Sequence, residues 1–213
     1  MTIISLKTGT DPELIRVGLS DGSLFSLRIS YLGNGMILNE NSEISENSEI
    51  SEKAAGALRF AASCYRAEQA ALRLSARAEQ CSFGLSAKLE KRGHDQLCIR
   101  EVMARLGALG IVDDRRFAER WLGQRLSHSA DTPLGLKAKL RRRGIAPRTV
   151  DEALRTCLGP QTEESLLERY MRKKARAPVA GGLNPLQFEV KMRYMLRQEG
   201  FSSAVLTRYF LKK

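Results

Sequence analysis

Apolar positions alternate with polar ones over the first thirty residues, and from residue 53 onward they recur every three and four. In the segment LIRVGLSDGSLFSLRISYL, Ile15, Val17 and Leu19 precede Asp21-Gly22; either Leu24, Ser26 and Arg28 or Phe25, Leu27 and Ile29 follow it. Asp-Gly between two β-type runs predicts a hairpin. A lone hairpin is marginal in water, so this one is expected to pack on another element. The hexapeptide NSEISE then occurs twice in succession over residues 41–52. Acidic, polar and short of core-forming residues, the segment reads as a flexible linker, although Ile44 and Ile50 leave open a binding or helical role. Residues 53–80 predict one long helix despite Gly56, because Ala, Leu, Arg, Glu and Gln favour helix.

Three later stretches share one pattern: LSAKLEKRGH (85–94), LKAKLRRRGI (136–145) and MRYMLRQEGF (192–201). Leu85, Leu136 and Met192 stand eight positions before Gly93, Gly144 and Gly200, and Leu89, Leu140 and Leu196 stand four before. The spacing makes one helical stripe, and the glycine falls where a helix end favours a left-handed residue. Past the glycine, Asp95 and Ser202 can cap a new helix and Pro147 can occupy its first turn. The second helix repeats as Ile99, Val102, Met103; Val150, Ala153, Leu154; and Leu206, Tyr209, Phe210. A further helix starts at Asp113 or Asp114 and another at Thr162, with Phe117 and Trp121 matching Leu166 and Tyr170. The fold class expected is an all-α main body of three tandem three-helix repeats (53–109, 110–158, 159–213), preceded by a β-hairpin segment (1–40) and the linker (41–52).

The chain has 213 residues, long enough for one or two cores. No apolar run approaches a membrane span and the start lacks a signal-peptide pattern, so a cytoplasmic protein is expected. The formal charge of +11 is uneven: residues 1–52 carry a net −5 and residues 53–213 a net +16. A surface of that sign attracts polyanions through phosphate contacts and counterion release.

Candidate chemistry narrows quickly. Cys64, Cys81, Cys98 and Cys157 form no CxxC pair, and only His94 and His128 could join them, so packing cysteines are expected and no metal. Asp113 and Asp114 read as a helix cap. The histidines lack positioned partners, and there is no phosphate-cradling loop, nucleophile elbow or zinc-binding helix. Neither an enzyme nor a cofactor is expected. Trp121 and Tyr170 could stack on bases, yet their positions within amphipathic helices point to the core. What remains is the basic set: Lys137, Lys139, Arg141, Arg142 and Arg143 in the second copy, then Arg169, Arg172, Lys173, Lys174 and Arg176. These residues read either as a solvated helix face or as a cationic stripe.

The run KLEKRGHDQLCIREVMARLGALGIVDDRRFAERW, followed by LKAKLRRRGIAPRTVDEAL and MRYMLRQEGFSSAVLTRYF, resembles the RecX family of regulators of the bacterial RecA recombinase. The resemblance covers roughly residues 60–210, with GIVDDRRFAERW its most telling segment. Gly84, the stretch Thr132 to Leu136, and Lys139 depart from the family pattern. The resemblance implies a curved helical array lodged in the groove of a RecA filament on single-stranded DNA, restraining strand exchange, filament growth, ATP hydrolysis and co-protease activity. It places the chain in homologous recombination, DNA repair and SOS regulation. The ten basic residues are then expected to touch the filament or its DNA, single-stranded and in some cases double-stranded, with the chain a monomer. The competing reading is a general DNA-binding protein of helix-turn-helix-like units acting without RecA; an uncharacterised hydrolase stands third.

Overall fold

The alternating N-terminal segment folds as the expected hairpin and gains a third strand. β1 (Ile3–Thr8), β2 (Leu14–Leu19) and β3 (Leu24–Arg28) form an antiparallel sheet in that order. Val17 pairs with Phe25 and Ile15 with Leu27, so the face after the turn is the Phe25/Leu27 face, with Ile15, Val17 and Leu27 buried. β1 pairs Leu6 with Val17 and Thr8 with Ile15, which corrects the hairpin to a three-stranded sheet. Its alternation breaks at an irregularity between Ile3 and Ser5, and Ile3 is its one fully buried side chain. That short signal hides a strand.

The computed structural model describes residues 1–33, 46–175 and 185–212, which divide into two compact units, Met1–Val112 and Asp113–Lys213. Residues 41–45 of the acidic repeat, Ile44 among them, lie outside the described residues. Residues 46–50 lie against β1: the Ile3 N–H donates to the Ser48 carbonyl at 3.1 Å and the Ile50 N–H to that of Met1 at 2.7 Å. Ile50 enters the core, and Ser51 Oγ accepts the Ala54 N–H at 3.2 Å to start α1 (Glu52–Arg77). The open edge of β1 is thereby covered.

α1 buries Ala55, Ala61, Ala62, Ala67 and Ala71 around Leu58, and these small side chains let β3 and α3 (Gln96–Ala108) approach its axis closely. An ion cluster around the buried Glu68 ties the sheet to these helices. The Arg28 guanidinium lies 3.0 Å from the carboxylates of Asp11 and Glu13 and 3.2 Å from Glu68, a residue only 3% exposed. Arg105 on α3 reaches Glu13 at 2.8 Å and Glu68 at 3.6 Å. Nearby, Arg59 on α1 pairs with Asp21 of the β2–β3 turn at 3.2 Å.

α2 (Ser82–Glu90) completes the first repeat with α1 and α3. The second comprises α4 (Asp114–His128), α5 (Pro133–Arg141) and α6 (Pro147–Cys157); the third comprises α7 (Pro160–Ala175), α8 (Pro185–Gln198) and α9 (Ser203–Leu211). The three glycine ends are the same device. Gly93, Gly144 and Gly200 have φ of 78°, 79° and 90°; the N–H of the next residue returns to the carbonyl of Leu89, Leu140 or Leu196, and the glycine N–H to that of Glu90, Arg141 or Arg197. This is the paired closure of a Schellman end, which requires a left-handed residue. Gly93→Ala, whose Cβ would meet open space, is expected to lower denaturant stability by about 1–2 kcal/mol through its backbone alone. Gly200→Ala should cost more, because its Cβ would lie 3.1 Å from the Leu134 backbone nitrogen and 3.3 Å from the Pro133 Cβ.

Asp95 and Asp113 cap α3 and α4 through two backbone N–H groups each, and Ser202 caps α9 through one. α7 starts at Pro160 and not at Thr162, which lies within its first turn. Leu85, Leu89, Leu136, Leu140 and Leu196 are fully buried, as the stripe predicts, while Met192 is only partly so. In α4 the fully buried positions are Ala118 and Leu122, one residue beyond the expected Phe117 and Trp121, which are half-buried. Within the second unit the third repeat docks on the second: the Leu134 N–H donates to the Glu199 carbonyl at 3.0 Å, and Thr132 Oγ1 to the Glu199 carboxylate at 2.8 Å. Cys64, Cys81 and Cys98 are buried and Cys157 half-buried, with no disulfide among the described residues. Burial pushes the thiols of Cys64, Cys98 and Cys157 up, away from the reactive thiolate. No helix among the described residues is long and apolar enough to cross a membrane.

Candidate functional site

The basic end of α5 is set by two neighbours. Thr132 caps the helix start by accepting the Gly135 N–H, the third repeat covers that start, and the buried pair Leu136 and Leu140 holds one face against α6, leaving the C-terminal turn open to solvent. Five cations follow on this short helix and the turn that ends it, and the structure gives them different work. Lys137 lies 2.5 Å from Asp151 on α6, and Lys139 lies 2.6 Å from Asp131. Arg143 donates to the Lys139 carbonyl at 3.0 Å, closing the helix end, and its guanidinium sits 4.8 Å from the Trp121 ring centre. Arg141 and Arg142 are exposed and have no side-chain partner among the described residues.

The α7 group divides in the same way. Arg169 is structural: its Nε donates to the Ser129 carbonyl at 3.0 Å and its Nη2 to that of Leu126, satisfying the end of α4. Arg172 lies 3.5 Å from Glu168 one turn earlier, and Lys174 lies 5.8 Å from the ring centre of the buried Tyr170. Lys173 is exposed with no side-chain partner among the described residues, and Arg176 lies outside them.

Two residues join the α5 end that sequence reasoning did not place there. Trp121 is half-buried rather than core, and Arg125, one turn further along α4, stands 5.4 Å from its ring centre. The Arg125 contact is legible as an i, i+4 pair. The approach of Arg143 from α5 is not, because it follows from the one-residue shift of the buried stripe to Ala118 and Leu122. The result is an indole ring with two guanidinium groups over it, each such contact contributing about 0.5–1 kcal/mol at an exposed site. Guanidinium forks fit phosphates and carboxylates, and an aromatic ring can stack on a base or pack on an apolar side chain. No nucleophile with a positioned base and no group of three or more His, Cys, Asp or Glu side chains suited to a metal occurs among the described residues here.

The same basic position has a structural role in the first repeat. Arg92, just before Gly93, donates to the Lys88 carbonyl at 3.1 Å, as Arg143 does to Lys139. Part of the arginine content is therefore helix closure. Arg141 and Arg142 are the excess that no local contact explains.

The family model described as RecX, second three-helix domain, matches residues 113–154, which hold α4, α5 and most of α6. The chain is 36% identical over 121 residues to the regulatory protein RecX of Treponema pallidum strain Nichols, covering 57% of this chain and 74% of that protein. It is 31% identical over 145 residues to the regulatory protein RecX of Mycobacterium sp. strain JLS, covering 66% and 79%. A crystal structure of regulatory protein RecX superposes with a TM-score of 0.66 at 20% identity over 96% of both chains. Another, of RecX from Lactobacillus salivarius, superposes at 0.54 and 18% identity over 70% of this chain and 96% of that one. At those identities the structures bear on the fold alone.

Proposed function

The chain belongs to the RecX family of regulatory proteins, and from that premise we propose that it binds RecA filaments on single-stranded DNA and restrains their activity without catalysing a reaction itself. Residues 53–109, 110–158 and 159–213 act as the repeated units, with the α5 end as the contact. One observation carries the assignment of that contact: Arg141 and Arg142 project from a rigid Schellman end, exposed and without a side-chain partner among the described residues, beside the Trp121 ring. Preorganised cations that lose no existing ion pair on binding favour a polyanionic partner. Lys137, Lys139, Arg143 and Arg169 hold the surface in shape instead.

The test is hydrolysis of ATP by RecA on single-stranded DNA. The wild-type chain is expected to reduce it at substoichiometric to stoichiometric amounts. Arg141→Glu/Arg142→Glu should need about tenfold more protein for the same effect, since two lost charge contacts of this kind amount to about 1.4 kcal/mol or more. Arg143 is left untouched because it closes the helix. Folded wild-type protein that leaves RecA unaffected sinks the proposal; equal inhibition by the double variant removes the α5 end from it. The half-buried Trp121 ring with two arginines over it also favours a second reading, DNA binding without RecA. Salt-sensitive binding of bare DNA, with no effect on RecA, would select it.

A further inference from the structure

The first unit carries a concave surface that neither the basic runs nor the family reading singles out. It is a groove of about 560 Å³ between α1 and the α2–α3 turn. Arg66, Arg73 and Arg77 line one wall, Arg92 and His94 the other, with the Tyr65 ring among them. No carboxylate among the described residues lines it.

The three arginines of α1 are seven and four residues apart, so at about 100° per residue they fall within roughly 40° of one another around the helix. Along the axis they are spaced by about 10 and 6 Å, the scale of successive phosphates on one extended strand. Arg59 stands seven residues before Arg66 on the same stripe, but it is neutralised by Asp21 and Glu52 at 3.2 and 3.3 Å. Beyond it the pairing stops. Arg66 donates only to Ser63 Oγ, Arg92 only to the Lys88 carbonyl, and Arg73 and Arg77 have no side-chain partner among the described residues. Burial first, and then the positive charges of Arg66 and Arg92, hold the His94 imidazole below its ordinary value. Four like charges gathered around a concavity repel one another, and a bound anion relieves that repulsion.

We propose that this groove is a second binding site, holding consecutive phosphates of a single-stranded nucleic acid through Arg66, Arg73, Arg77 and Arg92. One backbone running along one helix stripe satisfies the spacing. The half-buried Tyr65 ring in the groove lining offers a stacking partner to an unpaired base, which a duplex keeps stacked inside. The inference shares with the proposed function only the premise of a nucleic-acid ligand, so its binding measurement omits RecA, which enters only to separate a protein ligand from a nucleic acid.

The experiment is fluorescence anisotropy of the full chain with labelled oligothymidine of about 16 nucleotides, over a range of salt. Arg73→Glu/Arg77→Glu is expected to weaken binding by at least about tenfold and to reduce the slope of log K against log salt by about 1.4, at roughly 0.7 per single-strand phosphate contact. Arg73→Gln/Arg77→Gln, with helix-favouring and uncharged side chains, should give the same slope change, and covers the case in which charge reversal disturbs folding. In the wild type, the titration midpoint of the His94 ring protons, read by NMR, should rise when the oligonucleotide is added. Wild-type protein that does not bind, or groove variants that bind with unchanged slope, would overturn the inference. Displacement of the oligonucleotide from the groove by inorganic phosphate at equal affinity would overturn it in favour of a free-phosphate site. Groove variants that still bind oligothymidine normally but no longer slow RecA would overturn it in favour of an acidic protein segment. An unchanged groove variant beside a weakened Arg141→Glu/Arg142→Glu protein overturns this inference and leaves the proposed function standing.

Discussion

Glu68→Ala is expected to destabilise the Met1–Val112 unit by about 3–5 kcal/mol, the usual cost of removing one partner from a buried ion pair. The carboxylate is 3% exposed and faces two guanidinium groups, so its loss leaves Arg28, itself only 14% exposed, without the one buried member of its three carboxylate partners. Asp11 and Glu13 remain, but their side chains are 42% and 45% exposed and water screens them. Denaturant unfolding followed by circular dichroism should show the first unit melting earlier while the Asp113–Lys213 transition stays in place. Replacing both Arg28 and Glu68 by methionine should recover most of the loss, because a buried pair exchanged for apolar groups of similar volume is often neutral. An unshifted Glu68→Ala transition would mean that the cluster is energetically idle. Acid should weaken the same corner. The Glu13 N–H, with Arg28 behind it, holds the Asp11 carboxyl below its ordinary value, so its contribution is complete above the ordinary carboxylate range and is lost as pH falls beneath it.

Leu140→Ala should cost the second unit about 2–5 kcal/mol, the range for truncating a fully buried leucine. Its side chain sits against α6 at the point where the Ile145 N–H returns to its own carbonyl, so collapse of the cavity is opposed by the turn. Leu134→Ala on the same helix, 51% exposed, should stay within about 0.5 kcal/mol. Urea midpoints of the two variants make the comparison. Equal midpoints would deny that the stripe, rather than leucine content, holds the repeat together.

These two residues mark the boundary of what the chain discloses by itself. Leu140 is readable because its partners are local: the i, i+4 spacing to Leu136 and the glycine four places on define both the buried face and the helix end. The three-helix repeats, the caps at Asp95, Asp113 and Ser202, and the glycine turns follow from the same short-range rules. Glu68 is not readable. It lies in a run that reads as any amphipathic helix would, and its charge is compensated by residues 40 positions earlier and 37 later in the chain. β1 is hidden for a related reason, since its partner strand is local but its own pattern is broken at Ser5. For the site, a run of basic letters marks a helix end but cannot rank its members. Lys137 and Lys139 find acids, Arg143 and Arg169 find carbonyls, and only the three-dimensional neighbours separate these from Arg141 and Arg142. Trp121 is displaced by a single residue of register, which no helical period resolves when Phe117, Ala118, Trp121 and Leu122 are all apolar.

The pairing of Asp21 with Arg59 gives the helix α1 a polarity. Were the arginine stripe uninterrupted, a bound strand could slide past the start of the helix and onto the sheet. Asp21 on the β2–β3 turn, with Glu52 at the helix start, neutralises Arg59 instead, so a strand held in the proposed groove would meet a stop at one end of α1 and leave from the other. If the proposed groove holds a polyanion, the small sheet, besides sharing its core with α1 and α3, is also the electrostatic bookend that sets where that polyanion begins.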